Sequence, residues 1–278
     1  LWDNQDTFWL EGNDRCCKGK TTTFAHDLFT QRALNFIDKN KDTSFFLYVP
    51  YTLPHGGFII PEEEYAQFDD KDWSDQQKVY AGMIERIDKD MGLLFDALKE
   101  YGIDSNTLVF FCSDNGAANR YEGLFNSSGA LKGRKRDMYE GGIRVPMIVR
   151  MPGLVPAGEV SDHPWYFPDV MPTLAEITGA SLPDNIDGIS IAPLLKGENL
   201  PSGNRFMYWE FHEGQFAQAA RWKNWKAVRY EMSDTLELYN LSKDLAEDNN
   251  IAKDHPEITK KMIEYLNTER TESKYWKP

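Results

Sequence analysis

Two short apolar runs, each breaking off abruptly into polar residues, constrain this chain more than any other feature. Ser44-Phe-Phe-Leu-Tyr-Val49 stops at Pro50 and hands over to Thr52-Leu-Pro-His55-Gly-Gly57, while Thr107-Leu-Val-Phe-Phe-Cys112 hands over to Ser113-Asp114-Asn115-Gly116. Continuous apolar runs of this length read as strands buried on both faces. Between them, Val79, Met83, Ile87, Met91, Leu94 and Leu98 recur at spacings of three or four, with Glu85, Arg86, Asp88 and Lys89 on the other faces, so Gln77 to Glu100 is expected to be an amphipathic helix stopped by Gly102. Helix alternating with buried strand predicts an α/β layer fold with a largely parallel sheet. Functional groups in such sheets collect outside the C-terminal ends of the strands, which points to His55, Asp114 and Asn115.

The remainder of the chain divides in texture. Phe24, Leu28, Leu34 and Ile37 place a helix within Thr22 to Asn40, with the threonine run expected to cap it; Val145 to Arg150 reads as a third strand and Asp169 to Gly179 as a helix. From Pro183 to Gly203 the sequence is rich in breakers and marks the expected boundary between residues 1–200 and a small unit at 201–278. That unit shows strand-like runs at Phe206–Phe211, Ala217–Arg221, Lys226–Tyr230 and Glu237–Leu241, then a helix opened by Pro256, which predicts an α+β subdomain with an antiparallel sheet.

Composition narrows the functional classes. With 278 residues, 41% of them hydrophobic, the chain can bury a sizeable core. Its formal net charge of −13 argues against nucleic acid and anionic membranes as partners, so an anionic substrate needs a local positive patch. No apolar run approaches the roughly 20 residues of a membrane helix, and no targeting signal is visible after Leu1. Cys16 and Cys17 are adjacent and Cys112 stands apart, which gives neither a disulfide framework nor a Cys-x-x-Cys metal spacing.

The candidate chemistry lies in three segments. A carboxylate beside an amide, Asp114-Asn115, supplies hard oxygen ligands for calcium or magnesium, although Asp-Asn-Gly is also ordinary turn chemistry. A lone histidine such as His55 fits a loop as well as a catalyst. Leu131-Lys-Gly-Arg-Lys-Arg136 concentrates basic residues in an acidic chain, and Glu140-Gly-Gly-Ile-Arg-Val-Pro146 follows closely. Such runs are usually solvated, yet a lysine here can neutralise an anionic ester as a compact point charge.

In this order, Leu53-Pro54-His55, Ser113-Asp114-Asn115-Gly116 and Leu131-Lys-Gly-x-Lys135-x4-Glu140-Gly-Gly-x-Arg144-Val-Pro146 resemble the type I sulfatases of the alkaline-phosphatase-like superfamily, and the likeness continues through Pro168-Asp169-Val-Met-Pro172-Thr173, Asp187-Gly188-Ile-Ser and Leu238-Tyr-Asn-Leu241 to Asn249. The resemblance implies that Asp114 and Asn115 are ligands of a divalent cation, calcium with magnesium as the alternative. It implies that Lys135 contacts the sulfate and that His55 contacts the ester and helps protonate its leaving oxygen. Glu140, Gly141, Gly142 and Arg144 are expected to shape the turn behind the lysine. A sulfate-ester transition state spreads negative charge over sulfonyl and leaving oxygens, which a cation, a lysine and a histidine meet.

The family's nucleophile is a formylglycine made within a Cys/Ser-x-Pro/Ala-x-Arg motif, and Cys16-Cys-Lys-Gly-Lys20 does not fit it. The paired N-terminal aspartates of the family's metal site and its Lys-x-His segment are also missing, so the chain is expected to be the C-terminal part of a sulfatase whose nucleophile lies upstream. Alone it is expected to be inactive, to bind metal poorly and to be poorly soluble or partly unfolded, because two ligands cannot fill a calcium shell and an incomplete sheet exposes an apolar edge. The resemblance further implies a carbohydrate sulfate as substrate and a periplasmic or secreted location. His212, at the end of Tyr208-Trp-Glu-Phe-His-Glu213, and Arg120 are expected specificity residues. The competing expectations are a phosphoester or phosphonate hydrolase on the same scaffold and a non-catalytic sugar-binding fragment.

Overall fold

A computed structural model describes residues 1–10, 12–13, 22–118, 122–200, 204–232 and 235–277. Packing divides the chain into two units, Leu1–Thr107 and Leu108–Pro278; the expected boundary near residue 200 falls inside the second. The first unit holds a small antiparallel pair, β1 (Trp2–Asp3) and β2 (Asp6–Thr7), and two helices, α1 (Ala25–Asn40) and α2 (Asp75–Glu100). Ala33 and Ile37 of α1, and Val79, Met83, Leu94 and Leu98 of α2, are buried at the expected helical spacing. Ser74 and Gln77 form a reciprocal capping box at the start of α2. At its end, Gly102 (φ 69°) and Ile103 donate back to Lys99 and Leu98, a left-handed stop that a glycine adopts without Cβ strain.

Two expectations are corrected here. The threonines do not cap α1: Phe24 occupies the N-cap without a side-chain bond, and the Asn13 carboxamide oxygen instead accepts from Thr22 N and Thr23 N at 2.7 and 3.0 Å. The run Ser44–Val49 joins no sheet among the described residues. It alternates instead, with Phe45, Leu47 and Val49 half-buried while Phe46 and Tyr48 are 73% and 75% exposed. Apolar content signals a wish for burial, but a strand also needs a neighbour for its backbone groups.

The second unit contains β3 (Val109–Cys112), α3 (Glu122–Phe125), α4 (Glu140–Ile143), β4 (Met147–Arg150), α5 (Val170–Thr178) and α6 (Ala192–Leu195), followed by β5 (Phe206–Phe211), β6 (Ala217–Trp222), β7 (Trp225–Tyr230), β8 (Glu237–Asn240) and α7 (Pro256–Thr268). β3 pairs antiparallel with β4, and no parallel pair occurs among the described residues. Phe111 and Ile148, opposite each other across that pair, are 37% and 59% exposed, so β3 is not covered on both faces.

β5 to β8 form the expected antiparallel sheet in sequential order. Strand alternation gives it two apolar faces. Ala220, Ala227 and Leu238 meet Met262 and Leu266 of α7 on one face. Ala217, Ala219 and Val228 meet Met138, with Tyr139 and Ile143 packed alongside, on the other. That second face seats the segment carrying Lys135.

Candidate active site

The site is built on β3, whose last residue leads into Ser113-Asp114-Asn115-Gly116. Ser113 Oγ donates to Asn115 O at 2.8 Å and Asn115 Nδ2 donates to Gly116 O at 3.0 Å, so the turn is held locally. Asp114 is exposed and Asn115 half-buried. Backbone hydrogen bonds fasten the lysine segment to this turn: Gly116 N donates to Gly142 O at 2.9 Å, and Lys135 N donates to Ala117 O at 2.9 Å. Gly141 N closes the segment on itself by donating to Lys132 O at 2.7 Å. A Cβ on Gly116 would lie 1.9 Å from Gly141 O, and one on Gly142 would lie 2.1 Å from Asp137 O. The glycines are therefore demanded by close backbone approach, and the expectation that Gly141 and Gly142 are structural has its physical cause here.

Lys135 is half-buried, and the neighbouring Arg136 stands at φ 84°, a conformation that costs a non-glycine residue energy. Arg136 is held there by a two-pronged pair with Glu213, Nε and Nη2 to the carboxylate at 2.8 and 2.7 Å, and that pairing keeps the Glu213 carboxyl below the usual range. Glu213 follows His212, so the end of β5 and the lysine segment are tied together. His212 Nε2 lies 2.6 Å from Glu210 Oε1, and its ring stands 5.1 Å from that of Phe216 and 5.7 Å from that of Trp276. Burial opposes ionisation of Glu210, but Tyr208, His212 and Arg270 outweigh it and hold the carboxyl below the ordinary range. Glu210 thereby stays anionic and fixes the imidazole. Trp209 packs in the core beside Tyr166, ring centroids 5.7 Å apart.

Asp114, Asn115, Lys135 and His212 thus fall in one unit, and the first three stand on two loops bonded to each other. His55 belongs to the other unit, where it is exposed at the end of a turn in which its N donates to Thr52 O at 2.9 Å. Arg120 lies outside the described residues, as do Cys16 and Cys17. Among the described residues no three His, Cys, Asp or Glu side chains gather as a metal site. Asp114 and Asn115 fit a hard cation in kind and fall short of its roughly six to eight oxygens in number. The Cys112 thiol is raised above its ordinary value by burial and by Asp114, which leaves it a poor nucleophile. The sequence reading missed the Arg136–Glu213 and Glu210–His212 pairs; an Arg beside the lysine and acids at 210 and 213 flanking His212 were the available signals.

A family model described as Sulfatase matches residues 2–180, and one described as N-sulphoglucosamine sulphohydrolase, C-terminal, matches residues 133–272. The chain belongs to the type I sulfatases of the alkaline-phosphatase-like superfamily. It is 34% identical to human steryl-sulfatase over 211 residues, covering 71% of this chain and 34% of that protein. It is 33% identical to a sulfatase of Formosa agariphila over 248 residues, 79% of this chain and 44% of that one. In fold it is similar to the crystal structure of Ps i-CgsB in complex with k-i-k-neocarrahexaose, at a TM-score of 0.78 and 33% identity over 89% of this chain and 55% of that chain. The chain spans about a third to a half of the length of these relatives. No helix among the described residues is long and apolar enough to cross a membrane.

Proposed function

We propose that this chain is the C-terminal part of a sulfatase that hydrolyses a sulfate monoester of a carbohydrate. The observation that carries the reading is the backbone union of the Asp114-Asn115 turn with the Lys135 segment, which puts hard oxygen ligands and a flexible ammonium on adjoining loops. Lys135 neutralises charge growing on the sulfonyl oxygens. His55 contacts the ester and protonates the departing oxygen. Asp114 and Asn115 contribute oxygens to a calcium ion, with magnesium as the alternative, which when bound supplies Lewis acidity. His212, oriented by Glu210, and Arg120 contact the sugar. The nucleophile, a formylglycine, is expected from an upstream segment of the same enzyme, and the location is periplasmic or secreted. Residues 1–200 belong on this reading to the catalytic α/β domain and 201–278 to its small subdomain.

The test is turnover of sulfated sugars by the complete protein and its Lys135→Ala variant. A loss of about 10²–10³ in kcat is expected, as for removal of one charge-stabilising group. An equal rate in the variant would remove Lys135 from the reaction, and hydrolysis of phosphomonoesters in place of sulfates would favour the phosphoryl reading.

A further inference from the structure

Near its start, β7 carries a charge that the apolar pattern of the sheet does not call for. Lys226 is wholly buried on the face that receives the lysine segment. Its Nζ donates to Glu140 Oε1 at 2.9 Å and to Glu247 Oε1 at 3.4 Å. Glu247, also wholly buried, turns its other oxygen to Glu140 N at 2.7 Å. The backbone oxygen of the same Glu247 accepts from Lys132 Nζ at 2.9 Å, and the Lys132 ammonium stands 4.2 Å from the Tyr139 ring centre. Both ends of the stretch from Lys132 to Glu140, with Lys135 between them, are thus tied to Glu247, Lys132 to its backbone oxygen and Glu140 to its carboxylate, and the Glu140 end also to the buried lysine.

We infer that Lys226, clamped between Glu140 and Glu247, is a positioning residue that sets the Lys135 segment against the Asp114-Asn115 turn. Burial of charge is costly, and apolar residues of similar volume would hold a loop at no electrostatic expense. What the triad adds is direction: each bond fixes a specific backbone or carboxylate oxygen, and the tight contacts of Gly116, Gly141 and Gly142 pass any shift to the turn. Arg144 and Arg221, each 3.7 Å from Glu140 Oε2, bring the cluster to three cations around two acids, with both arginines on the Glu140 side. Burial opposes ionisation of Glu140, but Lys226, Arg221 and Arg144 prevail and hold its carboxyl below the ordinary range; burial lifts that of Glu247 above it. Of its two contacts, 2.9 Å to Glu140 and 3.4 Å to Glu247, the shorter makes Glu140 the chief partner of Lys226.

This inference rests on the reading of Lys135 as the sulfate-binding lysine, and its test separates the two. In the complete protein, Lys226→Met is expected to raise amide hydrogen exchange over residues 132–140 above that of β5–β8. It is also expected to lower kcat on an aryl sulfate about 10–100-fold with a smaller change in KM, as for other residues that support an active-site group. Adding Glu247→Gln, which removes the surplus buried acid, should recover part of both. A folded Lys226→Met protein with unchanged local exchange and unchanged kcat per folded molecule would overturn the inference. If Lys226→Met does not fold, Lys132→Met tests the same clamp from its rim, and unchanged exchange over 132–140 in that variant would overturn it. Absence of sulfate-ester turnover in the unaltered complete protein would instead sink the proposed function, with the exchange data still deciding the coupling.

Discussion

Each unit buries a cluster of charges, and the two clusters hold different things. In Leu1–Thr107, Asp90 of α2 sits 2.7 Å from His26 Nε2 and accepts from Thr30 Oγ1 at 2.8 Å and Arg86 Nε at 3.0 Å, while Arg86 reaches on to Glu64 and Asp27. That cluster joins helix to helix, an arrangement which the apolar stripes of α1 and α2 already favour. In Leu108–Pro278, Lys226 joins a loop to a sheet, and the loop has no periodic stripe of its own. Where hydrophobic patterning fixes a contact, buried charge refines it; where patterning is silent, buried charge determines it.

The largest expected effect that would sharpen this contrast is Asp90→Ala, which removes the buried acceptor shared by His26, Thr30 and Arg86 and should cost roughly 3–5 kcal/mol. Residue-resolved hydrogen exchange should show that loss in α1 and α2 and spare β5–β8; an equal loss in both units would break the comparison. Met262→Ala empties a wholly buried site beneath the sheet and should cost about 2–5 kcal/mol in the second unit only. Denaturant titration followed by exchange in β6 and β7 checks it.

A smaller effect is expected from acid. Burial lowers the His26 pKa below its ordinary 6.5, with Asp90 pushing back and Arg86 adding to the lowering. The unfolded chain therefore takes up this proton first. The stability so contributed is fully present above 6.5 and is lost as pH falls from there through the folded value. NMR titration of the His26 ring reads this directly, and a midpoint above 6.5 would contradict the burial argument. The smallest effect on stability belongs to Arg136→Ala, because its pair with Glu213 is 55% and 62% exposed and screened by solvent. The melting temperature should not move measurably, while trypsin cleavage after Arg134 accelerates as the segment loosens.

Much of this architecture was legible in the residues. The stripe of α2, its Gly102 stop, the four strands from Phe206 to Asn240 and the Pro256 start of α7 all follow from local periodicity and backbone chemistry, which require no distant partner. The Ser44–Val49 run was misread because apolar content reports burial without naming the neighbour that accepts the hydrogen bonds. The threonines before α1 were misread because the helix begins one residue after Phe24, which takes the N-cap place, and the amides of Thr22 and Thr23 are bound by Asn13 ahead of the helix. Asp114, Asn115 and Lys135 were picked out by motif, but the backbone bond that brings Lys135 to Ala117 has no side-chain signature.

The sequence by itself settled the long helix α2, the antiparallel strands from Phe206 to Asn240 and the family to which the chain belongs, since spacing and residue type are local properties. Tertiary structure alone decided that Arg136 meets Glu213 across 77 positions, and that Lys226 lies between Glu140 and Glu247, 86 and 21 positions away. Buried ion pairs depend on where whole elements pack, because the desolvation that makes them costly and directional exists only once the sheet and its covering loop have come together.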